Sequence, residues 1–218
     1  AITELKERYE NNKDICFLDE PVSVWETIKD GEGKSMLEKY YGNQPKYAFA
    51  FQMMAYISRL TPLRKALKQN YKIIITERSI YTDKMVFAKM LYDEKKMEDV
   101  EYQIYNKWFH EFIEDIPTPH IVYVKTNPII AKERVDKRAR TGETIPLEYL
   151  KSCHDYHENW LVTNVHKNMF LWCCNEEEVN QELLNKHLLL LDGNIDIYVN
   201  TEQPTLWVEY IDDFIKFC

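Results

Sequence analysis

An α/β fold built on a parallel sheet is predicted by three features of the sequence. Short apolar runs recur at 15–18, 73–75, 120–124 and 187–191. They are too short for helices and lack the alternation of a half-buried strand, so they read as strands covered on both faces. Segments with helical apolar spacing lie between them, the pattern of strand–helix–strand crossovers with helices on both sides of the sheet. The first two runs end in chemically capable residues, Asp19-Glu20-Pro21-Val22 and Glu77-Arg78-Ser79. Open parallel sheets bind their ligands at such carboxyl ends.

Taken in order, Ile2, Leu5 and Tyr9 share a face of an opening helix over 1–9. After the first strand a helical pattern runs from 24 to 41, broken at Asp30-Gly31-Glu32-Gly33, and Gln44-Pro45 makes a turn. A long helix over 46–69 follows. It carries Phe49, Met53, Tyr56, Ile57 and Leu60 on one face and Phe51, Gln52 and Arg59 on another. Beyond the second strand, helices are predicted over 81–92 and 97–114, the latter rich in Val100, Ile104, Trp108, Phe109 and Phe112, and Pro117 and Pro119 close it. Asn127-Pro128 opens a basic helix to about 138, and residues 141–144 form a hinge-like break. Helices over 146–162 and 206–217 complete the chain. Four strands are visible where such sheets usually have five or more, so the sheet is expected to be one strand short at its amino end. The 218 residues, 45% hydrophobic, suit a single domain over 1–218 with one substantial core.

No apolar run reaches the roughly 18 residues of a membrane span. The five cysteines, Cys16, Cys153, Cys173, Cys174 and Cys218, are odd in number and fit free thiols in a reducing, cytoplasmic setting, with a mitochondrial one also open. A net charge of −8 argues against a nucleic-acid polymer or an anionic membrane as partner. Against it stands a basic island of Lys132, Arg134, Lys137, Arg138 and Arg140, suited to a small polyanion.

Glu20 and Glu77-Arg78 are expected to converge at one rim of the sheet. Two carboxylates beside a guanidinium can divide their work, one accepting a proton and one holding a metal ion. Arg134 and Arg138 share a helix face, and arginine suits phosphate oxygens. The plain alternatives are a solvated ion pair capping a helix and a solvated helix face. Gly33-Lys34-Ser35 imitates the end of a phosphate-binding loop, but Ile28 stands where that loop needs glycine, and no strand feeds it. Cys153, His154 and His157, with Cys173 and Cys174, fit no standard zinc set.

The ordered motifs Glu20-Pro21-Val22 with Trp25, Phe51-Gln52, Ser58-Arg59, and Glu77-Arg78-Ser79 with Tyr81 and Asp83 form a recognisable set. Arg138-Ala139-Arg140, Ile145-Pro146-Leu147-Glu148-Tyr149-Leu150, His157-Glu158 and Trp160-Leu161 extend it. Together they resemble the deoxynucleoside kinases of the deoxycytidine, deoxyguanosine and insect multisubstrate type, over 1–161. The resemblance implies a P-loop kinase-like fold with five strands and an arginine-rich lid at about 134–145. It implies transfer of the γ-phosphate of ATP to a deoxynucleoside 5′-hydroxyl in nucleotide salvage, with Mg²⁺. Glu20 is then the general base, Arg78 the cation beside the transferring group, and Glu77 the carboxylate holding magnesium, directly or through water. Arg134, Arg138 and Arg140 close over the phosphates. Gln52 pairs with the base edge, Trp25, Phe51 and Phe87 wall it, and Tyr41 (with Tyr40 as neighbouring candidate) and Glu143 meet the 3′-hydroxyl. Arg59 with Asp83 implies deoxycytidine or a purine deoxynucleoside over thymidine.

The family's first strand and its loop, Gly-x-x-x-x-Gly-Lys-Ser/Thr, are expected immediately before Ala1, in a segment left out of this sequence; without them little activity is expected. The lid is one residue shorter between Arg140 and Ile145 than the family pattern. By the same resemblance, the apolar helices over 81–92 and 97–114 imply a homodimer. A non-catalytic nucleoside-binding subunit is the alternative from another class. A thymidylate-type nucleoside monophosphate kinase is a third reading, opposed by Glu20-Pro21, Trp25 and Phe51-Gln52.

Overall fold

The computed structural model describes residues 2–138, 145–162, 188–196, 199–200 and 202–218, and the backbone of 171–173. Its strands are β1 (Ile15–Leu18), β2 (Ile73–Thr76), β3 (Ile121–Lys125), β4 (Leu171–Cys173) and β5 (Leu188–Asp192). Its helices are α1 (Ile2–Arg8), α2 (Val22–Thr27), α3 (Met36–Gly42), α4 (Gln44–Leu67), α5 (Ile80–Thr82), α6 (Lys89–Asp93), α7 (Asp99–Ile113), α8 (Pro128–Arg138), α9 (Leu147–Leu161) and α10 (Gln203–Phe217). A π-helical turn, Asp83–Ala88, joins α5 to α6. The predicted helix over 81–92 is therefore three consecutive pieces, with one wide turn in the middle.

Among the described residues every strand pairing is parallel, in two groups: β1 with β2, and β3 with β5 and β4. Helix α4 packs on β1 and β2, while α10 packs on β5 and against α1. Two apolar clusters follow from this. One joins Leu5, Leu189 and Leu191 to Trp207, Val208, Ile211 and Phe214. The other joins Tyr56 and Leu60 of α4 to Ile80, Ala88, Tyr105 and Phe109.

Between the two strand groups lies a cavity of about 830 Å³, walled by β2 on one side and residues of β3 on the other. It explains where strand burial departs from expectation. β1 and β2 are half-buried along their length, and Val122 and Val124 of β3 are 36% and 40% exposed. Among the strands whose side chains are described, only β5, flanked by strands on both edges, buries most of its leucines: Leu188, Leu189 and Leu191 are at most 1% exposed, and Leu190 is half-buried. An apolar β-branched run is thus not enough to cover a strand; a neighbour at each edge is needed as well. β4 was not expected either, because three residues are too few to carry a period.

The Gly33-Lys34-Ser35 segment is a turn and a helix cap. Gly33 takes φ +83°, which suits glycine. Ser35 and Glu38 form a reciprocal capping box on α3, with Glu38 N donating to Ser35 Oγ at 3.2 Å and Ser35 N to Glu38 Oε2 at 2.7 Å.

Gly193, in the turn after β5, donates its N–H to the Lys125 carbonyl at 2.7 Å. A β-carbon there would stand 2.8 Å from that oxygen and 2.2 Å from Thr126 Oγ1. Gly193→Ala should therefore cost about 1–3 kcal/mol by thermal denaturation. Gly31→Ala, which meets nothing within 4 Å, serves as control. Equal melting temperatures for the two variants would contradict this close approach.

Candidate active site

The β1–β2 ladder continues one step past both strands, and this step builds the site. Glu77 N–H donates to the Leu18 carbonyl at 3.1 Å, and Glu20 N–H donates to Glu77 Oε2 at 3.1 Å. Parallel register pairs Leu18 with Thr76, so the two chains leave the sheet side by side and carry their acids to one rim.

Two arginines meet Glu20 there. Arg59, from α4, bonds Glu20 Oε1 with Nη2 and Asp83 Oδ1 with Nη1, the latter at 2.5 Å. Arg78 Nη1 stands 3.2 Å from Glu20 Oε1. Arg59 is 7% exposed and Asp83 1%. A guanidinium this buried needs anionic partners, and its planar fork can hold two at once. Asp83 is the first residue of the π-turn, whose wider winding is a frequent mark of functional sites. Burial, reinforced by the Glu20 charge, outweighs Arg59 and Arg78 and pushes the Asp83 carboxyl up to about 6.

Among the described residues, three deeply buried polar atoms in this region have no hydrogen-bond partner: Gln52 Oε1, Arg59 Nε and Asp83 Oδ2. Gln52, itself 2% exposed, lies about two turns before Arg59 on α4. Buried polar atoms are ordinarily satisfied, so this set, one donor among acceptors, marks a place for a polar ligand edge.

Aromatic rings frame the same region. Trp25 Nε1 donates to Ser58 Oγ at 2.8 Å, and Ser58 in turn donates to the Ala55 carbonyl at 3.0 Å. Phe51 meets Trp25 edge-on at 5.6 Å, and the Arg59 guanidinium lies 5.0 Å over the Trp25 ring. Phe87, on the π-turn, lies under the Arg78 guanidinium at 5.0 Å. Tyr40 stacks on Phe51 at 4.3 Å with an interplanar angle of 13°, and its hydroxyl lies 3.4 Å from that of Tyr149. Tyr41 sits tilted against Tyr40 at 5.4 Å. The Ser58 anchor of Trp25, the π-turn and the Tyr40–Tyr149 contact have no signal in the sequence.

The basic helix divides. Arg134 donates to the carbonyls of Gly193 at 2.6 Å and Ile195 at 3.1 Å, which fastens α8 to the turn after β5. Arg138 ends α8. Arg140 and Glu143 lie outside the described residues. Among the described residues no three His, Cys, Asp or Glu side chains group as a metal site, and His157 Nδ1 is 2.7 Å from the Cys153 carbonyl. No described helix is long and apolar enough to cross a membrane.

The raised Asp83 carboxyl makes stability depend on pH. Folded Asp83 holds its proton up to about pH 6, whereas the unfolded group loses it near pH 3.8, so its contribution is fully present below the lower value. It is lost as pH rises through the upper one. Chemical denaturation should show wild-type stability falling relative to Asp83→Asn between pH 4 and pH 7, by about 2–3 kcal/mol. A flat or rising difference would contradict the assignment.

Comparison with known proteins agrees with this geometry. A family model described as deoxynucleoside kinase matches residues 2–216. The chain is 34% identical over 197 residues to a probable deoxycytidine kinase of fowlpox virus, covering 88% of this chain and 77% of that protein. It is 33% identical over 159 residues to human mitochondrial thymidine kinase 2, covering 72% of this chain and 58% of that one. With the mitochondrial deoxyguanosine kinase of Xenopus laevis the identity is 31% over 165 residues, covering 66% and 62%. A two-acid, two-arginine rim beside a buried aromatic pocket thus occurs in a chain that belongs to the deoxynucleoside kinase family.

Proposed function

We propose that this chain phosphorylates the 5′-hydroxyl of a deoxynucleoside with ATP, and favours deoxycytidine or a purine deoxynucleoside over thymidine. The observation that carries the reading is Glu20. Its carboxylate stands at a rim between Arg59 and Arg78, beside Glu77 and next to a buried aromatic pocket. In that position Glu20 accepts the 5′-hydroxyl proton as the oxygen attacks phosphorus, and Arg78 offsets charge on the transferring phosphoryl oxygens. Glu77 is a hard oxygen donor of the kind Mg²⁺ takes, directly or through water. Bound there, the ion would neutralise phosphate charge.

On this reading residues 1–218 form one domain, and the 134–145 stretch, with Arg138, Arg140 and Glu143, closes over the bound substrates. Arg134 contributes by fixing α8. The cavity between β2 and β3 has Glu20, Glu77 and Arg78 in its wall, so phosphate bound at this rim would face it. The Tyr40 hydroxyl is already engaged by Tyr149, which favours Tyr41 for the 3′-hydroxyl.

Base preference rests on Arg59 and Asp83. An open acceptor on Asp83 serves the amino group of cytosine or adenine, and a donor on Arg59 serves the carbonyl of guanine. Thymine brings an apolar 5-methyl group that gains nothing from a buried charged pair. With ATP and the four natural deoxynucleosides, product analysis should show 5′-monophosphates. Thymidine should be poorer than the best acceptor by about 10-fold or more in kcat/KM. Thymidine as the best acceptor would overturn the preference.

The same reading includes a homodimer. Val100, Ile104 and Trp108 recur every fourth residue on α7 and are 55%, 40% and 47% exposed. Sedimentation at micromolar concentration should show a dimer that Trp108→Glu converts to monomer. A wild-type monomer under those conditions would contradict it.

A further inference from the structure

We infer that Tyr40 is a positioning residue whose hydroxyl ties the aromatic wall of the acceptor pocket to the start of α9. Its ring and its hydroxyl serve different neighbours. The ring, 2% exposed in the last turns of α3, stacks on Phe51 at 4.3 Å, and Phe51 meets Trp25 at 5.6 Å. The hydroxyl crosses to α9 and shares a hydrogen bond with Tyr149, at an oxygen–oxygen distance of 3.4 Å. Tyr149 is the third residue of α9, and α9 also packs against α8, the helix that ends in Arg138. A single side chain therefore touches the wall that would hold the base and the helix that follows the basic segment.

The contact is buried, with the charges of Glu94 and, through Cys153, of Arg78 and Lys96 acting on it from nearby. Tyr41, Cys153 and Glu94 are the other titratable groups facing it. Burial raises both phenols, and it pushes the Cys153 thiol up to about 12, so the pair stays protonated through the physiological range. Cys153 Sγ lies 3.9 Å from Met90 Sδ, which closes the pocket with polarisable, uncharged atoms. Tyr149 also hydrogen-bonds the Cys153 side chain, and in such buried surroundings losing a hydroxyl partner is costly, which favours one arrangement of the cluster. Filling the acceptor pocket against Phe51 consequently bears on α9 and on α8, which packs against it.

The inference rests on the kinase reading for its kinetic readout alone, and the experiment separates the two. Tyr40→Phe keeps the ring stack and deletes only the hydroxyl. In the full chain, kcat should fall by about 3- to 10-fold, the worth of one buried hydrogen bond. Deoxynucleoside affinity measured calorimetrically without ATP should stay within about two-fold. Tyr149→Phe should match it, and the double variant should be no worse than either single one. Amide exchange over residues 147–153 should quicken in all three, and the kcat ratio should be constant from pH 6.5 to 8.5. An unchanged kcat, additive losses, or unchanged exchange would each overturn the inference. If the wild type transfers phosphate to no deoxynucleoside, the kinase reading fails and exchange alone decides the Tyr40–Tyr149 tie: faster exchange supports it and unchanged exchange overturns it.

Discussion

Arg59 holds two carboxylates that arrive from different parts of the chain, and the rest of the site is arranged around that bond. Glu20 comes off the end of β1, Asp83 opens the π-turn, and Arg59 reaches both from α4. Taking three charged groups out of water costs several kcal/mol apiece, recovered only when geometry is good and each charge has an opposite beside it. Arg59 gives both acids an opposite charge, although at Asp83 burial still outweighs it, and Arg78 adds a second positive group at Glu20. Removing Arg59 would leave two carboxylates with Arg78 alone between them. The bond therefore fixes strand, helix and turn relative to each other before any ligand is present. Preorganisation of this kind is what phosphoryl transfer asks of a protein, because the chemistry itself is mainly placement and charge.

The division of labour among the acids follows from their surroundings. Glu20 and Glu77 lie at the open ends of β1 and β2, in the wall of the cavity between the strand groups. Asp83 lies inside, 1% exposed, with an elevated carboxyl and an oxygen left open. The outer pair suits proton and metal chemistry, and the inner one suits recognition of a base edge. One guanidinium bonds both Glu20 and Asp83, so on the proposed reading a change at Asp83 will be felt at Glu20.

Much of this was legible in the sequence because strand ends are local features. An apolar run followed by Glu20, and another followed by Glu77-Arg78, place those acids at one rim wherever the strands are parallel neighbours, as β1 and β2 are. Helix boundaries were close for the same reason: period and caps are local. What packing decides was not legible. The sequence gives no sign that residues 83–88 wind as a π-turn, nor that β2 is half-buried, since cover depends on which strand lies beside it. Tyr40 and Tyr41 are adjacent and chemically alike, and about 100° of helix rotation sends one inward to Phe51 and Tyr149. Arg134 looked like part of a phosphate-facing stripe, yet its guanidinium is engaged with backbone carbonyls 59 to 61 residues away.

The central claim is that Glu20, held between two arginines, takes the proton of a sugar alcohol while phosphate is transferred. Single-turnover phosphorylation of a deoxynucleoside, wild type against Glu20→Gln, measures that step most directly. The account predicts a transfer rate lower by about 10²- to 10⁴-fold with deoxynucleoside affinity changed only a few-fold. A glutamine variant that transfers phosphate at the wild-type rate would contradict it.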